Sequence, residues 1–576
     1  MAQKKNHQSS RWISSQTYLW LMVAIFLLAA ALRLYALTAD LPLHLALGQG
    51  PTNDGYRTVE SGRNKALFGT WIHDGESPSI YHRYIGMAWL ARGFFGLLGT
   101  NYWQANLLSV VAGLLAILFT ASFAHEQFGK GAALLTALFM AVDFVYVMYN
   151  RTPMVYTPLT CGLALALYAW QRGIRQPIWF LVSGLALSMT ILLLKLLGLA
   201  LLPPLLLGLL VLTWRRYRAG QRQVLSPWLL FGLGLALGSG LWLVARDVSL
   251  PQQTGGVVLN ATVRTFEPSQ GIEDNVRFAL QSTLQFGLRS GVLLRMLPVF
   301  TLAYLYVLLR AVQALIKEGP RLPLAEVVLL LFLLCATLIL LASTYRPTRY
   351  YLVLIPPMCL LASRALTTWL RLSHVRLPIR TSRLFPIFLF LGLTYFSYQI
   401  LASVVKLVDL ARFQTGLTDA RVIADMLTLY RFLGAGLVLG LVATLLILRP
   451  ALQKPGGRLA LPSQRARTWI ALSFVVGIVI AGGWQYLTWA WRPQFSIMEA
   501  SRRVERDLGQ GSVLGGSLSE MLALENRMQT ILFGSGLSEE RLSTLGITHL
   551  VMGTNSDFNK RMHEKYPAFM EQTHLV

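Results

Sequence analysis

Apolar runs of membrane length, separated by short polar segments, occupy most of the chain. The first extends from Tyr18 to Thr38, and others begin near Ser79, Gln104, Gly131, Pro153, Ile178, Leu196, Ser226, Ser290, Leu322, Tyr351, Leu384, Tyr430 and Thr468. A helix needs about 20 apolar residues to cross roughly 30 Å of hydrocarbon, so the pattern predicts an all-α polytopic membrane protein. Two interruptions, Asn150-Arg151-Thr152-Pro153 and Pro203-Pro204, fall within 131–213. One segment there is expected not to cross independently, leaving about 13 transmembrane helices. That odd number puts the chain ends on opposite sides.

The pattern changes after Arg492. Ile497–Leu508, Ser517–Leu524 and Ser538–Leu545 read as helices. Ser512–Leu514, Met528–Phe533 and Thr548–Met552 read as strands. Such alternation predicts a small C-terminal α/β domain over 492–576, following a membrane domain over 1–491. Gly509, Gly511, Gly515 and Gly516 read as turn residues rather than a phosphate loop. Gly515 comes one residue late for a dinucleotide fingerprint, and no Lys-Ser/Thr closes the run.

With 54% hydrophobic and 13% charged residues, the composition excludes a soluble chain. A net charge of +25 would suggest nucleic acid in a soluble protein, but its distribution points elsewhere. Basic clusters at Arg172–Arg175, Arg215–Arg222, Arg310–Arg321, Arg371–Arg383 and Arg449–Arg467 fall between spans, as in cytoplasmic loops. No nucleic-acid partner is expected. Lys4, Lys5 and Arg11 precede the first run, which is too long for a cleaved signal, so a retained anchor with a cytoplasmic N-terminus is expected. The loop 39–83 and the C-terminal domain then lie outside the cell. Cys161, Cys335 and Cys359 sit in apolar runs and read as small buried hydrophobes.

The first outer loop carries the candidate chemistry. Asn53–Gly69 suits a helix lying on the membrane surface. Tyr56, Val59, Ala66 and Leu67 fall near one face; Asp54, Arg57, Thr58, Ser61 and Lys65 fall on another. Asp54 is the candidate general base for an acceptor hydroxyl or amine. Arg57 and Lys65 are candidate phosphate ligands, Arg as a fork and Lys as a point charge. Tyr81, His82 and Arg83 close the loop as further substrate-binding candidates. His73, Asp74, Glu76 and His82 lack an H-x-x-x-H or D-x-D spacing, so no metal ligand is assigned, although a divalent metal is compatible. Arg151, Lys195, Arg346 and Arg349, with Tyr350 beside the last, lie in or next to apolar runs. Cations are costly in lipid and usually face a cavity or partner, which here suits a lipid phosphate. Asp143 reads as a counter-ion or a span-end residue.

Four ordered features resemble the GT-C superfamily of integral-membrane glycosyltransferases, in the branch of the protein O-mannosyltransferases and the lipid A aminoarabinose transferase. They are Asn53-Asp54-Gly55-Tyr56-Arg57 with Ser77-Pro78; Tyr149-Asn150-Arg151-Thr152-Pro153; Gly184-Leu185-Ala186 with Lys195-Leu196; and Arg346-Pro347-Thr348-Arg349-Tyr350-Tyr351-Leu352 with Pro356-Pro357. In place of the family's usual second acid, Gly55 follows Asp54; Glu60 is the nearest alternative, on a different face of the helix. The resemblance implies inverting transfer of a sugar from a polyprenyl-phosphate donor to an outer protein, lipid or glycan acceptor at the plasma membrane. Asp54 would be the base, and Lys195, Arg57, Arg83 and Arg349 would stabilise the leaving phosphate. Two other classes share the many spans and buried cations: a flippase of lipid-linked sugars, and a non-catalytic scaffold that binds polyprenyl phosphate.

Overall fold

The structure, a computed structural model, describes residues 14–42, 54–72, 81, 84–221, 224–249, 299, 303, 306–307, 323–342, 348–371, 374–376, 390, 394, 397, 435, 437–442, 444–445, 458–460, 463–509, 511–516, 518–531, 545–551, 564 and 566–571. The spans expected near Ser290, Leu384 and Tyr430 lie largely outside these residues.

The apolar runs form helices. α1 (Ser15–Leu34), α3 (Ile85–Leu98), α4 (Tyr102–Phe128), α5 (Lys130–Val142), α6 (Phe144–Tyr149), α7 (Tyr156–Gly173) and α8 (Ile178–Met189) are followed by α9 (Leu202–Arg218), α10 (Ser226–Ser249), α11 (Leu324–Ala342), α12 (Ile355–Arg371) and α13 (Gln464–Ala490). α2 (Gly55–Phe68) comes from the first outer loop. Among the described residues, six helical stretches are long and apolar enough to cross a membrane, and four apolar helices are shorter. Polar side chains start several of them. Ser14 caps α1, and Asn101 caps α4 by accepting from the amides of Trp103 and Gln104.

The 131–213 stretch is irregular, at one of the two predicted places and at others the spacing did not mark: the chain turns at Asn150–Pro153 between α6 and α7, as predicted. Asp143 ends α5 and caps α6, accepting from the Tyr146 amide at 2.8 Å, so it is a helix-break residue. Pro203 and Pro204 occupy the first turn of α9, where a missing N–H costs nothing; they start a helix rather than interrupt one. The main break is at Lys195. α8 loosens into a π-helical turn (Thr190–Leu194), Lys195 is extended, and the chain resumes as a 3-10 segment (Leu196–Leu201). Such π turns recur at functional positions in helices.

β1 (His374–Arg376) and β2 (Arg458–Ala460) pair antiparallel between membrane segments. After α13 the chain forms α14 (Ser496–Leu508), β3 (Val513–Gly516), α15 (Ser519–Leu522), β4 (Gln529–Ile531), β5 (His549–Val551) and α16 (Pro567–Glu571). The strands make a parallel sheet in the order β4-β3-β5, consistent with the predicted alternation. The helix expected over Ser538–Leu545 lies mostly outside the described residues. Gly515 and Gly516 belong to β3 rather than to a turn. Gly516 has φ of +118°, and a Cβ there would stand 2.2 Å from the Val551 carbonyl oxygen, so the strand pairing itself requires glycine.

α2 is not the surface helix that its spacing suggests. Thr58, Glu60, Ser61, Gly62, Arg63 and Asn64 are buried along with the apolar Tyr56 and Val59. The helix is wedged between α3 and the C-terminal segment. Arg63 is fully buried; it pairs with Glu60 at 3.1 Å and donates to the carbonyls of Asn526 and Met528 at 2.8 Å each. Thr530 Oγ1 donates to the Glu60 carboxylate. A buried charge needs this degree of satisfaction, since its desolvation cost is several kcal/mol (roughly) when unpaired.

Candidate active site

The break at Lys195 and the start of α2 converge. Asp54 immediately precedes α2, and Arg349 and Tyr350 lie in a 3-10 turn (Thr348–Leu354) that leads into α12. Arg349 Nη2 donates to Asp54 Oδ2 at 2.5 Å. The Asp54 side chain remains 40% exposed, whereas that of Arg349 is 7% exposed. The Arg349 guanidinium lies 5.9 Å from the centre of the Tyr350 ring, and Lys195 Nζ lies 4.7 Å from the same centre. Tyr156 and Tyr84 complete the surroundings of Lys195, at 4.6 and 6.0 Å, and Nζ donates to the Tyr156 hydroxyl. A partly desolvated ammonium facing aromatic rings gains about 2 kcal/mol from them. The position of Tyr84 depends on close packing. A Cβ on Gly86 would stand 2.6 Å from the Leu193 carbonyl oxygen, so α3 begins directly against the π turn before Lys195.

Arg57 joins the group from the first turn of α2. Its Nε lies 3.1 Å from Glu520 Oε1, and Asp54 and Tyr84 are near enough to act on its charge. Burial is the largest single influence and opposes that charge, but Glu520, through its charge and hydrogen bond, together with Asp54 and Tyr84 outweighs it and holds the guanidinium above its ordinary value. Glu520 is itself completely buried. Burial pushes its carboxyl up to about 7, and Arg57 offsets only part of that rise.

Of the predicted residues, Asp54, Arg57, Lys195, Arg349 and Tyr350 therefore assemble. Others do not join them. Lys65 donates to the Gly69 carbonyl at 2.5 Å, holding the end of its own helix. Tyr81 is buried and packs on Trp71, with ring centres 5.3 Å apart. Arg151, expected as a substrate ligand, is buried with its guanidinium on the end of α1. It donates to the carbonyls of Arg33, at 3.2 Å, and Tyr35, at 2.5 Å, and to that of Ala36, and it stacks 4.3 Å over Trp489. The terminal carbonyls of α1 attract a cation there, which explains Arg151 without a ligand. His82, Arg83 and Arg346 lie outside the described residues, as do His73, Asp74 and Glu76. Among the described residues, no group of three or more His, Cys, Asp or Glu side chains is placed to hold a metal ion.

Tyr84, Tyr156 and Glu520 are not marked by the sequence. A tyrosine in an apolar run carries no signal of what it faces. Glu520 is a lone acid in a short helix, 463 positions from Arg57. Glu60 was set aside by helical spacing, and the structure gives it to the buried pair with Arg63 instead.

The fold and these residues define a polytopic membrane protein with an acid and several cations clustered at the helix ends. Residues 82–242 match the family model for dolichyl-phosphate-mannose-protein mannosyltransferase, a segment that includes Tyr84, Tyr156 and Lys195. ArnT from Cupriavidus metallidurans bound to undecaprenyl phosphate has the same fold. It aligns at 16% identity and TM-score 0.52, over 98% of this chain and 96% of that one. The apo form of ArnT aligns at 17% identity and TM-score 0.46, over 92% and 88% of the two chains. The oligosaccharyltransferase of Archaeoglobus fulgidus aligns at 12% identity and TM-score 0.45, over 92% of this chain and 66% of that one. Comparison with curated protein sequences finds no match. The chain thus shares a family segment with the mannosyltransferase model and its fold with ArnT, both in line with the resemblance noted in the sequence.

Proposed function

We propose that this chain transfers a sugar from a polyprenyl-phosphate donor to an acceptor hydroxyl or amine of a protein, lipid or glycan outside the cell. The observation that carries the reading is the continuous group Asp54–Arg349–Tyr350–Lys195, which sets a carboxylate beside cations of unlike partners. Undecaprenyl phosphate bound to the structural neighbour ArnT supports the donor class.

In this reading the donor phosphate engages Lys195 and Arg349. Engaging Arg349 loosens its bond to Asp54 and frees Oδ2 for the acceptor. The acceptor oxygen or nitrogen forms a bond to the anomeric carbon as its proton passes to Asp54. The bond from that carbon to the phosphate oxygen breaks, and the polyprenyl phosphate leaves with the electron pair. Lys195, Arg349 and Arg57 stabilise the charge that develops on it, in a setting of low dielectric where fixed cations act strongly. A single displacement inverts the anomeric configuration. The loop 39–83 and the domain 492–576 lie outside the cell and the N-terminus inside, with the spans of 1–491 holding the prenyl chain. Arg151, Lys65 and Tyr81 have structural roles only.

The test is the product. Purified protein given polyprenyl-phosphate sugars should yield a glycosylated acceptor of opposite anomeric configuration, read by NMR. Retention of configuration would rule out the single displacement. Movement of intact donor across vesicles without transfer would favour the flippase.

A further inference from the structure

Arg57 is held in an unusual way. Glu520 takes its Nε, which leaves the two terminal nitrogens of the fork to other partners. The Arg57 side chain is 26% exposed, and its Nε bonds to Glu520 Oε1 at 3.1 Å. Glu520 is fully buried, and its Oε2 has no hydrogen-bond partner among the described residues. A buried carboxylate with one oxygen unmatched is costly, and the fold maintains it at some expense. α15, which carries Glu520, is fixed from several sides. The Tyr102 hydroxyl at the start of α4 donates to the Met521 carbonyl, and the Ser501 hydroxyl of α14 donates to that of Leu522 at 2.5 Å. Glu60, Arg63 and Thr530 tie the same seam one turn further along α2.

We propose that Glu520, carried by the C-terminal segment, is a positioning residue that orients Arg57 toward an anionic lipid phosphate beside Asp54. It acts through Arg57 and touches no substrate. The C-terminal α/β segment thereby completes the binding site rather than merely covering it. The inference rests on the phosphate-donor reading above, and binding tests it separately from catalysis.

The experiment measures undecaprenyl phosphate binding to the full-length protein in detergent for Glu520→Gln, Arg57→Ala and the double variant. Loss of one charge-assisted contact weakens binding about tenfold. Glu520→Gln should approach that loss, and the double variant should bind no worse than Arg57→Ala alone, because the two act as one unit. Thr530→Val loosens the same seam without touching Arg57, and it should bind as the wild type does. Three results would overturn the proposal: unchanged binding in Glu520→Gln, additive losses in the double variant, or an equal loss in Thr530→Val. Weakened binding in Glu520→Gln with no sugar transfer by the wild type would uphold the positioning role and defeat the transferase reading. Failure of the wild type to bind undecaprenyl phosphate would defeat both.

Discussion

Gly62 offers the sharpest test of how packing places the site. It lies on α2, little more than one turn beyond Arg57 and two beyond Asp54, and faces α3. A Cβ built there stands 2.4 Å from the Ala88 carbonyl oxygen, 2.7 Å from Ala91 Cβ and 2.8 Å from the Arg92 nitrogen. Two of these are backbone atoms, so no side-chain rotation relieves the overlap. Real Cβ atoms keep at least 3.0 Å from such neighbours, so α2 and α3 must part by roughly 0.6 Å. Alanine favours a helix over glycine by about 1 kcal/mol, while overpacking typically costs about 1–3 kcal/mol. The clash outweighs the propensity gain. The displacement reaches Asp54 and Arg57, where misplacement by about 1 Å can cost about a hundredfold in rate. Gly62→Ala should therefore lower the midpoint of thermal unfolding in detergent and cut sugar transfer by about tenfold or more. Gly93 on α3 is the control. Nothing lies within 4 Å of a Cβ there, so Gly93→Ala should be neutral or up to about 1 kcal/mol stabilising. A Gly62→Ala protein as stable and active as the wild type would refute the reasoning.

Other perturbations follow the same logic. Lys195→Met removes the ammonium held among three tyrosines and should weaken polyprenyl phosphate binding about tenfold to a hundredfold, measured by lipid displacement. Arg151→Leu takes the donor away from the carbonyls at the end of α1; about 1–3 kcal/mol of stability should be lost, with donor KM unchanged in the protein that survives. Glu520 should make stability depend on pH. Burial raises its folded value to about 7 from an ordinary value of 4.5, so the folded state holds the proton more tightly. Its contribution to stability is fully present below 4.5 and is lost as pH rises through about 7, an effect of up to roughly 3 kcal/mol. Glu520→Gln should flatten the unfolding midpoint across that window relative to wild type.

The membrane helices and the terminal alternation were legible because hydropathy and period are local properties of the chain. Lys195 and Arg349 stand out in the sequence for a related reason, since an ionised group beside an apolar run is costly; Asp54 stands out as the acid of the first outer loop. That argument does not say which partner offsets the cost. Arg151 has the same sequence signature as Lys195, yet it serves the end of α1, 115 to 119 positions away. The α2 helix misled in the opposite direction. Its polar positions looked solvated because their partners, Asn526, Met528, Thr530 and Glu520, lie more than 450 positions further on. Arg33, fully buried near the end of α1 and bonded to Asn150 and to the carbonyls of Ala29, Met140 and Ala141, belongs to the same class. Local spacing identifies a group that needs a partner, and only the tertiary fold supplies it.

If Asp54 is the base, transfer depends on its carboxylate. The measurement is transfer of radiolabelled sugar from polyprenyl-phosphate donors in membranes holding equal amounts of wild-type protein or Asp54→Asn. The wild type should transfer sugar in a donor-dependent way, and the variant should lose about a hundredfold or more while still binding polyprenyl phosphate. Equal transfer by the two proteins would contradict it.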